Sequence, residues 1–131
     1  MRLLLIVGVC FYLSLTSANA IASTSAGPKS FFELSATDIS GKKIHFSQFR
    51  GKVVLVVNTA SECGFTPQLK DLEDIYKKYL NKGFIVLAFP SNDFHQEKQD
   101  NPEILKFTQK EYKISFPLFD KGPIRGKDKQ P

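Results

Sequence analysis

The stretch N-T-A-S-E-C-G-F-T-P-Q, from Asn58 to Gln68, contains the residue of this sequence best suited to covalent chemistry, the thiol of Cys63. A thiolate is a soft nucleophile that attacks disulfides and can itself be oxidised to a sulfenic acid. A free thiol has a pKa of ~8.5 and is mostly protonated at neutral pH, so a reactive site must stabilise the anion. A lone cysteine is otherwise a small core residue, and the elements around Cys63 must decide between the two interpretations.

Two apolar runs frame this stretch and predict the strands of a βαβ unit. Val53 to Val57 reads V-V-L-V-V, which is typical of a strand covered on both faces in a parallel sheet. Thr66 is the predicted N-cap of a helix with Pro67 at its first position, and an apolar stripe follows at spacings of three and four. Gly83 is expected to end this helix, and residues 84–89, F-I-V-L-A-F, predict the second strand.

The predicted unit places Cys63 just beyond the carboxyl end of a central parallel strand. Ligand and reaction sites of open α/β sheets collect at that edge. Cys63 also precedes a helix N-terminus, where free N–H groups favour a thiolate, and Gly64 allows another group to approach closely. The placement therefore favours a reactive thiol over a core one.

Shorter segments complete an α/β sandwich around a central sheet. The turn at Ser40-Gly41 joins two short strands of a hairpin within residues 31–46. A second helix is predicted from Asn101-Pro102 to about Tyr112, and residues 116–119 begin a further extended segment.

The first twenty residues have the pattern of a secretory signal peptide. Arg2 precedes an apolar run from Leu3 to Leu15, and a small-residue end closes at Ala20, with cleavage after Ala22 as the alternative. The run is shorter than the ~20 residues of a membrane span, so no stable membrane anchor is expected. We predict a signal peptide over 1–20, a flexible lead-in over 21–30, a domain over 31–131, and export to the periplasm or the exterior.

Composition and spacing exclude several classes of site. The formal net charge is +5, but lysines and acids are mixed along the chain, and no basic block is interleaved with aromatic residues, so nucleic acid is not an expected partner. His45 and His95 form no ligand pair with Cys63 at a recognised spacing, so no metal is expected. After removal of the signal peptide Cys63 is the one remaining cysteine, which leaves no internal disulfide.

Three segments, in the right order, resemble the glutathione peroxidase family. They are Gly51 to Gln68, Gly83 to Glu97, which is similar to that family's F-P-C-N-Q-F-G-x-Q-E block, and F-P-L-F-D-K at Phe116 to Lys121. The resemblance runs from about Phe31 to the last residue. It implies a thioredoxin-like α/β fold with a central mixed sheet flanked by helices.

The resemblance also implies roles for individual residues. Cys63 falls on the peroxidatic position, and Gln96 falls on the glutamine that would donate a hydrogen bond to the developing anion. The block is one residue shorter than in the family, with only His95 between Phe94 and Gln96. The family completes its site with a tryptophan and an asparagine near the C-terminus, and this sequence has no tryptophan. The resemblance therefore implies that a C-terminal strand and helix are missing from this chain.

The implied activity is a thiol-dependent peroxidase that reduces hydrogen peroxide or organic hydroperoxides through a cysteine sulfenic acid, in response to oxidative stress and without a cofactor. The family's resolving cysteine is Gln109 here, and the cysteine of F-P-C-N is Ser91, so glutathione or a thioredoxin-type reductant must come from outside. Two alternatives stay open: a catalytically inactive truncated fragment of that fold, and a one-cysteine thiol–disulfide oxidoreductase with C-G-F-T in place of C-x-x-C.

Overall fold

The computed structural model describes residues 30–126. The predicted signal peptide over 1–20, the lead-in up to residue 29 and residues 127–131 lie outside the described residues. Ser30, the last residue of the predicted lead-in, already belongs to the fold. Its side-chain oxygen accepts a hydrogen bond from the Phe32 N–H at 3.3 Å and caps a 3-10 turn over Phe31–Glu33.

The predicted hairpin is present. Strand β1, Ser35–Thr37, pairs antiparallel with strand β2, Lys43–His45. Asp38 organises the turn between them, because its Oδ1 accepts the N–H groups of Ser40 and Lys42 at 2.9 Å each and the Ser40 hydroxyl at 2.6 Å. The Ser40 hydrogen bond outweighs burial and lowers the pKa of the Asp38 carboxyl.

The βαβ unit is confirmed. Strand β3, Val53–Thr59, pairs in parallel with strand β4, Phe84–Pro90, over their full length. Helix α1, Gln68–Tyr79, connects them and continues into a 3-10 turn over Leu80–Lys82. Gly83 ends that turn with a φ of +81°, a left-handed conformation that favours glycine.

The prediction that β3 is covered on both faces is wrong. Val53 is 69% exposed and Val56 is 47% exposed, whereas β4 is buried from Ile85 onward. In the described part of the chain β3 is hydrogen-bonded on one side only, to β4. A continuous β-branched run identifies the strand, but the elements packed on each face come from elsewhere in the sequence.

Helix α2, Asn101–Tyr112, has the predicted bounds, and the Asp100 side chain caps it by accepting the Glu103 N–H at 2.9 Å. The predicted extended segment follows and runs beside both strand pairs. The Ala88 N–H donates to the Pro117 carbonyl at 3.0 Å, and the Asp120 N–H donates to the Thr37 carbonyl at 2.9 Å. Two isolated β-bridges link this segment to the rest of the sheet: Leu118 pairs in parallel with Ala88 of β4, and Phe119 pairs antiparallel with Asp38. They join the two strand pairs into one mixed arrangement.

Aromatic side chains dominate the core. Phe46 is 1% exposed and makes edge-on contacts with Phe89 and Phe119, and the latter two rings stack at 4.4 Å between centroids. Tyr76 of α1 packs edge-on against Phe116. Between residues 30 and 126 no helix is long and apolar enough to cross a membrane.

Candidate active site

A cavity of about 250 Å³ opens where β3 and β4 end, at the edge of the sheet that the sequence predicted. Cys63 and Gln96 both line it, so the structure brings together the two predicted site residues. Phe65 and Phe94 also line the cavity and are 73% and 54% exposed. The cavity is therefore lined by a cysteine, a glutamine and two exposed aromatic residues.

The Cys63 thiol is half-buried, and its sulfur accepts a hydrogen bond from the Phe65 N–H at 3.5 Å. This donor stabilises negative charge on the sulfur. It lies in the loop before α1, whereas the sequence had predicted donors in the first turn of the helix. At Gly64 an added methyl group would meet no protein atom within 4 Å, so the protein's own packing does not require glycine there.

The prediction that Thr66 is the N-cap of α1 is wrong. Pro67 occupies the cap with helical backbone angles, and Thr66 points back into the thiol loop. Its Oγ1 accepts the Cys63 N–H at 3.0 Å and lies 2.7 Å from the carbonyl oxygens of both Ala60 and Cys63. A threonine hydroxyl competes for loop backbone as readily as for a helix end, and here it closes the turn that presents Cys63.

The segment after β4 holds the thiol loop from the other side. The Glu62 N–H donates to the Gln96 carbonyl at 2.8 Å, and the Ser61 N–H donates to Glu97 Oε1 at 3.0 Å. The same Glu97 oxygen accepts the Lys98 N–H at 2.8 Å, and Glu97 is only 8% exposed. Sequence reasoning missed Glu97. Its position directly after Gln96 in the Q-E motif was the available signal.

His95 compensates for the short spacing between Phe94 and Gln96. His95 adopts a left-handed conformation with a φ of +57°, and its N–H donates to the Asn92 carbonyl at 2.9 Å. This tight turn brings Gln96 to the cavity despite the missing residue.

Beside the thiol loop Lys98 is paired with Glu62, whereas the Ser61 hydroxyl has no partner among the described residues. Lys98 Nζ lies 2.5 Å from Glu62 Oε1, and this hydrogen bond raises the pKa of the Lys98 ammonium. The Ser61 hydroxyl is buried without a hydrogen-bond partner among the described residues. Ser91 also lines the cavity, and Gln109 is exposed on α2. Because neither residue is a cysteine, neither position supplies a second thiol.

Comparison with known proteins gives the family. Residues 31–131 match the profile described as "Glutathione peroxidase". The chain belongs to the glutathione peroxidase family. The chain is 48% identical over 98 residues to the glutathione peroxidase-like peroxiredoxin 2 of Saccharomyces cerevisiae. These residues make up 74% of this chain and 60% of the yeast protein, so the chain spans about three fifths of that relative's length.

Solved structures give the fold. The apo form of Trgpx aligns with a TM-score of 0.59 at 37% identity, over 79% of this chain and 60% of that protein. A thioredoxin-family thiol:disulfide interchange protein from Chlorobium tepidum aligns with a TM-score of 0.55 at 20% identity, over 66% of this chain and 56% of its own. This chain therefore has a thioredoxin-like fold, as the sequence indicated.

Proposed function

We propose that this chain is a thiol-dependent peroxidase in which Cys63 reduces hydrogen peroxide or an organic hydroperoxide. The observation that carries the proposal is the shared cavity of Cys63 and Gln96, with the Phe65 N–H on the sulfur. The name of the yeast relative, a glutathione peroxidase-like peroxiredoxin, points to the same chemistry.

In the proposed reaction the Cys63 thiolate attacks one peroxide oxygen and the O–O bond breaks. The sulfur keeps that oxygen as a sulfenic acid, and the other oxygen leaves as an alkoxide or hydroxide that takes up a proton. We propose that Gln96, which lines the same cavity, donates its amide N–H to the oxygen on which charge develops. Cys63 is the nucleophile and Gln96 the stabilising residue.

Regeneration is proposed to use external thiols. A first thiol condenses with the sulfenic acid, releases water and leaves a mixed disulfide on Cys63. A second thiol attacks that disulfide, which frees Cys63 and releases the oxidised reductant. Glutathione or a thioredoxin-type protein fits this role, because residues 30–126 contain no cysteine besides Cys63.

The test of the function is the rate at which Cys63 forms a sulfenic acid. We expect hydrogen peroxide, followed by a sulfenic-acid trap and peptide mass spectrometry, to label Cys63 at least ~10-fold faster than free cysteine. The Cys63→Ser variant is the control for labelling elsewhere, including Cys10. Labelling no faster than free cysteine would leave the inactive-fragment interpretation. Rapid reduction of insulin disulfides without peroxide turnover would instead favour the one-cysteine oxidoreductase.

We also propose that the chain is exported, on the pattern of residues 1–20. The N-terminal sequence of the protein from its source is then expected to begin near Ile21. An Ala20→Arg variant should accumulate uncleaved, because the processing site requires a small residue. An N-terminus at Met1 in the wild-type protein would contradict export by this route.

A further inference from the structure

A positive charge lies at the rim of the Cys63 cavity. The guanidinium carbon of Arg125 lies 4.2 Å from the centroid of the Phe94 ring, and Phe94 lines the cavity together with Cys63. Ile124, the residue before Arg125, lines the cavity as well. A cation over the face of an aromatic ring is attracted by the ring's quadrupole, which holds the guanidinium against this wall.

The backbone that carries Arg125 is fixed to the loop that carries Phe94. Asp93 Oδ2 accepts the N–H groups of Ile124 and Arg125 at 2.8 and 2.9 Å. The Gly122 N–H donates to the Pro90 carbonyl at 3.1 Å. Arg125 is therefore positioned at the rim by bonds that do not involve its side chain.

The guanidinium has its donors available for a ligand. Among residues 30–126 no carboxylate lies within 4.0 Å of it, although the Asp93 carboxylate, which accepts the Arg125 backbone N–H, is close in space and reduces the local positive field. The other charges nearby are occupied: Lys98 pairs with Glu62, and Lys121 Nζ donates to the carbonyl oxygens of Lys98 and Gln99. A guanidinium presents a planar fork of N–H donors that matches a carboxylate.

We propose that Arg125 is a specificity-determining residue that binds the carboxylate of a small molecule whose reactive end enters the cavity and meets Cys63. The nature of that reactive end rests on the proposed function: a peroxide or a thiol. The carboxylate belongs either to an acidic organic hydroperoxide or to an acidic thiol reductant.

The primary test does not depend on peroxidase activity. Iodoacetate and iodoacetamide alkylate the same Cys63 sulfur but differ in charge, so the ratio of their rates measures attraction of a carboxylate to the site. Arg125→Gln is expected to lower the iodoacetate-to-iodoacetamide ratio about fivefold at low salt, and added salt should lower the wild-type ratio. Arg125→Lys keeps the charge but loses the fork, and is expected to fall between the two.

Arg50→Gln is the matched control, because Arg50 also lies over a phenylalanine, with its guanidinium carbon 5.0 Å from the centroid of Phe32, but Phe32 does not line the cavity. Its alkylation ratio should equal the wild-type ratio. An unchanged ratio in Arg125→Gln, or the same fall in Arg50→Gln, would overturn the proposal.

Turnover then identifies the molecule. A fatty-acid hydroperoxide is compared with its methyl ester, and glutathione is compared with its diethyl ester. A rise in KM for the acid but not for the ester, in Arg125→Gln, assigns the carboxylate to that substrate. An equal loss for acid and ester in both pairs would show that Arg125 supports the cavity wall without recognising charge, and would overturn the proposal. Failure of turnover in the wild-type protein would count against the proposed function and leave the alkylation result standing.

Discussion

Replacing Gln96 by alanine is expected to slow the reaction of Cys63 with hydrogen peroxide by about 10²-fold without unfolding the domain. Removing one donor that stabilises a developing anion costs on the order of 10² to 10³ in rate. Gln96 lines the cavity with Cys63, and its contribution to the thiol loop is made by its backbone carbonyl, which alanine retains. The measurement is the rate of single-turnover oxidation of Cys63, which is monitored as the loss of free thiol.

The alkylation rate of Cys63 separates two roles for Gln96. Iodoacetamide tests the thiolate but does not break an O–O bond, so its rate should stay near the wild-type value in Gln96→Ala. Gln99→Ala is the matched control, since Gln99 is exposed and does not line the cavity. An unchanged peroxide rate in Gln96→Ala would assign Gln96 to the surface, and equal losses in both reactions would assign it to thiolate stabilisation.

Replacing Glu73 by alanine is expected to lower the free energy of unfolding by about 3 kcal/mol, because a buried, charge-assisted hydrogen-bond pair is lost. Glu73 is 2% exposed on α1, and its carboxylate accepts the Ser115 N–H at 2.8 Å and the Ser115 hydroxyl at 2.5 Å. Lys77 Nζ lies 3.0 Å from the same carboxylate. This contact ties α1 to the segment that enters the sheet beside β4, and urea denaturation measures its value.

The ionisation of Glu73 also makes the free energy of unfolding depend on pH. Burial raises the pKa of its carboxyl, but the hydrogen bonds from Ser115 and the charge of Lys77 together outweigh burial and hold the pKa below its usual value. A carboxyl with a lowered folded-state pKa stabilises the fold fully above its unfolded pKa of ~4.3, and this contribution is lost as the pH falls through the folded-state value. The stability difference between wild type and Glu73→Gln should therefore be constant near pH 7 and shrink in acid.

Asp74→Ala is the matched control for Glu73, since Asp74 is the next residue and its side chain is 63% exposed in an ion pair with Lys70. Its effect should be below about 0.5 kcal/mol. A difference between wild type and Glu73→Gln that grows toward acid would mean that burial dominates and that the buried carboxyl is protonated.

The sequence by itself determined the βαβ unit and the position of Cys63 within it. Continuous apolar runs, helical spacing and a glycine in a left-handed conformation are local signals, and they were sufficient for β3, β4, α2 and the stop at Gly83, which ends the 3-10 turn after α1. Because the edge of a parallel sheet follows from strand direction alone, the location of the site beyond β3 needed no knowledge of distant contacts.

Only the tertiary structure decided which groups act on that thiol and which faces are covered. Threonine is a common helix cap, yet the Thr66 hydroxyl forms hydrogen bonds within the thiol loop. Glu97 belongs to a polar run in the sequence, yet its carboxylate is buried and accepts the Ser61 N–H. Val56 belongs to an apolar run but is 47% exposed. The burial of Glu97 and the exposure of Val56 depend on elements far away in sequence, whereas Thr66 had two possible partners nearby, the helix end and the thiol loop, and the fold of the loop decides between them. Hydrogen-bond partners and burial are set by packing, which local patterns do not encode.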